Sequence, residues 1–278
     1  MNKMESIIAL LTDFGLRGQH YVAAMKAVIL NINPDVKIID ISHGISSYSI
    51  IEASYILKTT YKHFPKTTVF IIVVDPGVGS TRKIIALKTT SNYFFIGPDN
   101  GIFPNTFVET EISDCINIQN EEYFNYPISP TFHGRDIMAP VSAYITKNKN
   151  APLEDLGSKC DFTSLIKIPV TLKLNIENRS IMSSIQYIDS FGNGTTTIPI
   201  IGNKLGDSNL ILEDGLKISI IINNNKYDGV FSSHFSSVLK DSLLILVGST
   251  GFLKVSINQG NAANILDFKV GDIIKIRI

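Results

Sequence analysis

Cysteine is scarce in this chain: Cys115 and Cys160 are the two present in 278 residues. They show no close-paired spacing, which argues against a disulfide framework and points to reduced thiols. Charge of one sign is lacking too. Lysine plus arginine total 25, aspartate plus glutamate total 25, and no long single-sign run occurs. Neither nucleic acid nor an anionic membrane surface is indicated as a partner. No stretch approaches the roughly 20 apolar residues of a membrane helix. The apolar segment of MNKMESIIALLTDFG is too short for a secretory h-region, and Asp13 follows it without a small-residue cleavage site. These absences lead to the expectation of a soluble cytoplasmic protein. No internal repeat is visible.

The chain does have enough apolar material for a well-packed core: 44% hydrophobic against 18% charged residues. Its length allows one large domain or two ordinary ones. The first part alternates short apolar runs with helical periods. SIIALLT, VKIIDIS, TVFIIVV, IIALKTT and YFFIG read as strands. Val22, Met25, Val28 and Ile29 have helical spacing within residues Gln19 to Leu30. The Ser49–Glu52 pair matches a capping box, which predicts a helix to His63. HGRDIMAPVSAYI starts another helix, with Pro140 tolerable only near its first turn. This alternation predicts an α/β domain with a mostly parallel sheet flanked by helices, over residues 1–165. A linker near Asn148 to Pro169 follows. From 170 to 278 the helical periods vanish, and IMSSIQYI, LKISIII, SLLILVG, FLKVSI and DIIKIRI alternate with Gly, Asn and Asp turns. That texture predicts an all-β, barrel-like second domain.

Three loops carry a carboxylate just past a strand: TDFG with Asp13, DPGVGSTR with Asp75, and GPDNG with Asp99. In open α/β sheets, ligands bind beyond the carboxyl ends of the strands, and a carboxylate there can accept both hydrogen bonds of a ribose diol. Plain turn formation by Asp and Gly is the alternative for each loop. The DFG is not that of a kinase, because no glycine-rich loop, VAIK-like lysine or HRD segment accompanies it. GVGSTR lacks the Gly-Lys-Ser/Thr ending of a phosphate loop. In TFHGRDIMAP, His133 stands at the mouth of a helix, as a base, a polariser, a ligand or a structural hydrogen-bonder. His43, His133, Asp75 and Asp136 have ligand chemistry, but no HxxxH or HxH pairing supports a metal. In the β-rich part, Asp189, Phe191 and Asn193 surround one turn, and Ser249, Thr250 and Asn258 lie in GSTGFLKVSINQGNAA. Turn formation and adenine recognition by an amide beside an aromatic both fit these residues.

Taken in order, TDFG, VVDPGVGSTR, GPDNG, TFHGRD, YIDSFGN and GSTGFL with NQGNAA resemble the S-adenosylmethionine hydroxide adenosyltransferase family over nearly the whole chain. Members hydrolyse S-adenosylmethionine (SAM) to adenosine and methionine, and are relatives of enzymes that attack the same carbon with fluoride or chloride. The resemblance implies a homotrimer whose active sites form where one subunit's N-terminal domain meets a neighbour's C-terminal domain. It assigns the catalytic set to Asp75, Arg82 and His133 and the ribose-binding aspartate to Asp13. Similarity to the halogenating relatives assigns the methionine ammonium to Asp189 and the carboxylate to Ser249. It assigns the adenine edge to Asn193 and its face to Phe191 and Phe231. Tyr48 stands where those enzymes carry tryptophan, and Thr250 where they carry arginine. Asn258 completes the implied substrate-binding set. The Asp-Arg-His set is absent from the halogenating enzymes, and no long insertion surrounds GPDNGIFPNTF; both features favour water over halide. No cofactor is implied, SAM being the substrate. A halide-dependent 5′-adenosyl transferase and a non-catalytic adenosine or SAM sensor are the alternatives.

Overall fold

The computed structural model describes residues 6–148, 151–175, 178–206 and 210–278. The extreme N-terminus and residues 149–150 of the expected linker lie outside the described residues. The chain divides into two compact units, Met1–Ile168 and Pro169–Ile278. Among the described residues no helix is long and apolar enough to cross a membrane.

In the first unit, strands β1 (Ile7–Thr12), β2 (Lys37–Ser42), β3 (Val69–Val73), β4 (Ile84–Thr89), β5 (Phe94–Pro98), β6 (Ile112–Ile118) and β7 (Gly157–Lys159) form one sheet in the order β2-β1-β3-β5-β4-β6-β7. Helices α1 (Gln19–Ile32), α2 (Ile50–Thr60), α3 (Ile102–Thr106) and α4 (Ala139–Lys147) accompany it. The central strands are apolar on both faces because both are covered. Ile8, Leu10, Ile71 and Val73 pack with Val22, Met25 and Ile29 of α1 and with Val141 of α4. Their neighbours Ala9, Leu11, Phe70 and Ile72 pack with Ala53 and Leu57 of α2 and Phe103 of α3.

Two sequence expectations change here. The sheet is mixed: β2, β1, β3 and β5 run parallel, while β4, β6 and β7 are antiparallel. The turn between β4 and β5 leaves no room for a crossover, so those strands form a hairpin. The capping box is not made either. Ser49 makes no side-chain cap, and Glu52 Oε2 instead accepts the Ser46 amide at 3.2 Å.

Pro140 sits in the first turn of α4, immediately after a π-helical turn over Gly134–Met138. A proline there cannot donate to the carbonyl four residues earlier. The freed Asp136 carbonyl accepts the Asn125 amide at 2.8 Å instead.

The second unit holds β8 (Leu172–Asn175), β9 (Ser180–Ile188), β10 (Gly194–Ile201), β11 (Lys204–Leu205), β12 (Lys217–Ile222), β13 (Asn225–Phe231), β14 (Leu243–Val247), β15 (Phe252–Ile257), α5 (Ala262–Leu266) and β16 (Ile273–Arg277). The order β10-β15-β14-β13-β12-β16-β9 closes through β9–β10 pairing, which makes a seven-stranded barrel among the described residues. Ile181, Ile220, Val255, Leu253 and Ile276 fill its interior. Closure leaves these strands without free edges.

Candidate active site

The site grows out of the parallel part of the sheet. β1, β3 and β5 run in one direction, so Asp13, Asp75 and Asp99 all follow carboxyl ends. Asp13 and Asp75 reach a common cavity of about 230 Å³. Asp99 does not. It is buried, and its Oδ1 accepts the Ile166 amide at 2.9 Å, a structural tie.

After β3 the chain folds back through two short turns. Asp75 Oδ1 accepts the Gly77 amide at 3.2 Å, and the Ser80 amide and hydroxyl both reach the Gly77 carbonyl. The turns return Arg82 to Asp75. Arg82 Nε lies 2.8 Å from both carboxylate oxygens, and Nη2 lies 2.5 Å from Oδ2. Both side chains are nearly buried, at 8% exposure for Arg82 and 4% for Asp75. Arg82 Nη2 also lies 2.8 Å from His133 Nδ1. The three residues form one connected group. Asp75 and His133 line the cavity, and Arg82 braces them from behind. Gly134 makes this approach possible, since a Cβ there would come within 3.1 Å of Val73 at the end of β3.

Burial, and then the Arg82 charge, lower the His133 pKa from its ordinary value. Arg82 can only donate. The facing Nδ1 therefore holds a lone pair, and the neutral ring carries its proton on Nε2. Asp13 is shifted the other way: burial raises its pKa, opposed by the Tyr48 amide, which donates to Oδ2 at 2.8 Å. Tyr48 itself has positive φ and is 69% exposed at the rim. Phe14 and Phe132 complete an apolar wall with ring centroids 5.9 Å apart, and Tyr21 packs against both. This aromatic wall had no signal in the sequence beyond the presence of the rings.

Asp136, a conceivable ligand by composition, is fully buried and structural. It pairs with Arg135 at 2.6 Å and accepts the Ser129 amide at 2.8 Å. Although its burial opposes ionisation, those hydrogen bonds lower its pKa overall. His43 faces Thr12 and Asp40. Among the described residues no group of three His, Cys, Asp or Glu side chains is arranged to hold a metal ion.

The expected residues of the second unit group less completely. Asp189 Oδ1 caps its own turn, accepting the amides of Phe191 and Asn193, while Oδ2 takes Lys254 Nζ at 3.1 Å. Desolvation raises the Asp189 pKa, but these partners outweigh it and the net shift is downward. Asn193 is buried with its amide nitrogen on Asp189. Phe191 is 75% exposed beside it. Ser249 and Thr250 lie exposed in the β14–β15 turn. Phe231 is buried in the barrel core, and Asn258 is buried with its amide on the Val238 carbonyl at 2.8 Å. Sequence reasoning also missed Lys254, which lies 65 positions from its partner Asp189. The two thiols, distant in sequence, meet across β6 and the residue after β7 with sulfurs 2.7 Å apart.

Comparison with known proteins identifies the family. Residues 8–157 match the SAM hydroxide adenosyltransferase N-terminal domain, and residues 183–275 match the C-terminal domain of the same family. A protein of Methanocaldococcus jannaschii named (R)-S-adenosyl-L-methionine hydrolase is 37% identical, over 97% of this chain and 95% of its own. A crystal structure of an uncharacterized conserved protein from Thermotoga maritima superposes with a TM-score of 0.83 at 34% identity, covering 98% of this chain and 100% of that one. A fluorinase of Nocardia brasiliensis is more remote, 23% identical over 100% of this chain and 98% of its own. With both domain models matched in order, the chain belongs to the SAM hydroxide adenosyltransferase family.

Proposed function

We propose that this protein hydrolyses SAM to adenosine and methionine by attack of a held water on ribose C5′. The observation that carries the reading is the connected Asp75–Arg82–His133 group on the wall of a cavity that Asp13 also lines. Attack forms the C5′–O bond and breaks the C5′–S bond. Sulfur keeps the bonding pair, so methionine leaves as a neutral thioether, and the water gives up one proton.

Each residue type supplies one requirement. Arg82 provides fixed positive charge that favours a deprotonating water, since a guanidinium never serves as a base. His133, neutral with its proton on Nε2, orients the water oxygen as a donor. Asp75 accepts the proton and passes it to solvent, general-base help of typically about 10²–10⁴-fold. Asp13 takes the ribose hydroxyls, and its charge suits a cationic substrate. No cofactor is needed for this displacement. The hydrolase relatives are named for the (R) sulfonium epimer, and we assign that epimer to this chain as substrate.

The cavity of the first unit, about 230 Å³, falls short of the roughly 300–1,000 Å³ of ordinary ligand pockets. A further wall is required. The family resemblance supplies it as a neighbouring subunit's C-terminal unit in a homotrimer, where Asp189, Phe191 and Ser249 would meet the methionine and adenine ends. Light scattering on the purified protein tests the assembly.

Incubating the protein with each sulfonium epimer, with and without chloride or fluoride, tests the chemistry. Adenosine and methionine are expected without halide, with oxygen from labelled water in the 5′-hydroxyl. A 5′-halogenated nucleoside identifies a halogenase instead, and unchanged substrate identifies a binding protein.

A further inference from the structure

The Asp13 turn is gripped from behind by a neighbouring segment. Thr12 Oγ1, fully buried, lies 2.9 Å from His43 Nδ1. The His43 carbonyl accepts the Gly15 amide at 2.7 Å. Five residues further on, the Tyr48 amide reaches Asp13 Oδ2 at 2.8 Å. Residues 43–48 therefore hold residues 12–15 at three points. The segment is itself tethered to α2, because Glu52 accepts the Ser46 amide.

His43 has a defined orientation. Its Nε2 lies 3.0 Å from Asp40 Oδ1, a close approach poorly angled for a hydrogen bond, and Lys26 Nζ holds the other Asp40 oxygen at 2.6 Å. A carboxylate only accepts, so the nitrogen facing it carries the proton. With that proton on Nε2, Nδ1 offers a lone pair, and Thr12 donates its hydroxyl proton there. The Thr12 oxygen keeps a lone pair for the Phe14 amide, 3.4 Å away. The series runs in one direction from the turn to the surface. The backbone is adapted to it as well: β2 shifts register between Asp40 and Ser42 opposite Leu10 and Leu11, one turn of chain before the site. Bulges of this kind re-aim side chains beside active sites.

We propose that His43 is a positioning residue for substrate binding, acting through Thr12 to hold the Asp13 carboxylate where it meets the ribose. This rests on the functional reading above. His43 does not line the cavity. Its effect belongs to affinity for the nucleoside and not to the displacement step, which the Asp75 group performs.

The test measures adenosine affinity by calorimetry, KM and kcat with SAM, and the melting temperature, for wild type, Thr12→Val, His43→Leu, His43→Asn and the Thr12→Val/His43→Leu double variant. Losing the Thr12–His43 bond raises KM and the adenosine Kd about tenfold, about 1.4 kcal/mol, with kcat little changed. The double variant is no weaker than either single one, because both remove the same contact. His43→Asn, which keeps an acceptor near the Nδ1 position, recovers most of the lost affinity. Unchanged adenosine affinity in Thr12→Val overturns the proposal, and Thr12→Val alone suffices should His43→Leu not fold. Losses that multiply in the double variant, or kcat falling as much as affinity, overturn it too. A wild-type protein that neither turns over SAM nor binds adenosine overturns the functional reading, and this inference with it.

Discussion

Arg82 Nη2 lies 2.8 Å from Nδ1 of His133, and the same guanidinium holds Asp75 through Nε and through Nη2 itself. One planar, permanently charged donor thus meets both neighbours. It binds the Asp75 carboxylate and leaves Nδ1 of His133 as a lone pair on a neutral ring, because a protonated Nδ1 would point a hydrogen at a donor.

The pH dependence follows. Burial and the Arg82 charge lower the His133 pKa from its ordinary 6.5. The neutral ring persists through neutral pH and is lost as the pH falls through that lowered value. The profile of kcat/KM should be level around neutrality and decline on the acid side, with its midpoint below 6.5. A His133→Gln variant should lose that inflection. A midpoint above 6.5 contradicts the assigned tautomer.

Arg82→Lys keeps the charge but not the fork that bridges two partners. Turnover should fall by about 10²–10³, the usual cost of removing one well-placed donor, while adenosine affinity changes little. Arg82→Ala should also destabilise the fold, since it leaves an almost fully buried Asp75 unpaired, at about 3–5 kcal/mol. Parallel loss of adenosine binding and turnover in Arg82→Lys would count against the division of roles.

The sequence made some of this legible and hid the rest for physical reasons. An apolar run ending in Asp-Phe-Gly or Asp-Pro-Gly announces a buried strand followed by a sharp turn, and Asp13 and Asp75 do face the cavity. Asp99 has the same local pattern, yet its carboxylate is spent on the Ile166 amide. Which side of a loop a side chain takes depends on a segment 67 residues away, and no local pattern encodes that. Thr12 and His43 are adjacent only because β1 and β2 pair in parallel, which brings positions 31 apart into contact. The β4–β5 hairpin was readable, since Ser91–Asn92 between two apolar runs is too short for a crossover. The alternation of strands and helices before it suggested more parallel pairing than the sheet contains.

Asp13→Asn isolates the charge of the ribose carboxylate, because the amide oxygen can still accept from Tyr48. A hydrogen bond to a charged group contributes about 1.5–3 kcal/mol, so KM should rise roughly 10–100-fold. Wild type should prefer adenosine to 2′-deoxyadenosine, and the variant should discriminate much less. Equal discrimination in both proteins would remove Asp13 from the ribose.

Gly79 connects the two loops of the catalytic group without contributing a side chain. Its φ is +80°, and a Cβ there would stand 2.4 Å from the Pro130 carbonyl oxygen. Pro130 lies three residues before His133, and Gly79 three before Arg82, so this backbone contact sets how closely the two loops approach. Gly79→Ala forces one loop away in addition to the roughly 1–2 kcal/mol of left-handed strain. The Arg82–His133 contact spans 2.8 Å and has little slack before it is lost. Turnover should therefore drop well beyond what the small loss in melting temperature accounts for, while the Asp13 side of the cavity keeps its adenosine affinity. Wild-type turnover in a folded Gly79→Ala protein would mean that the two loops are held together by something other than this contact.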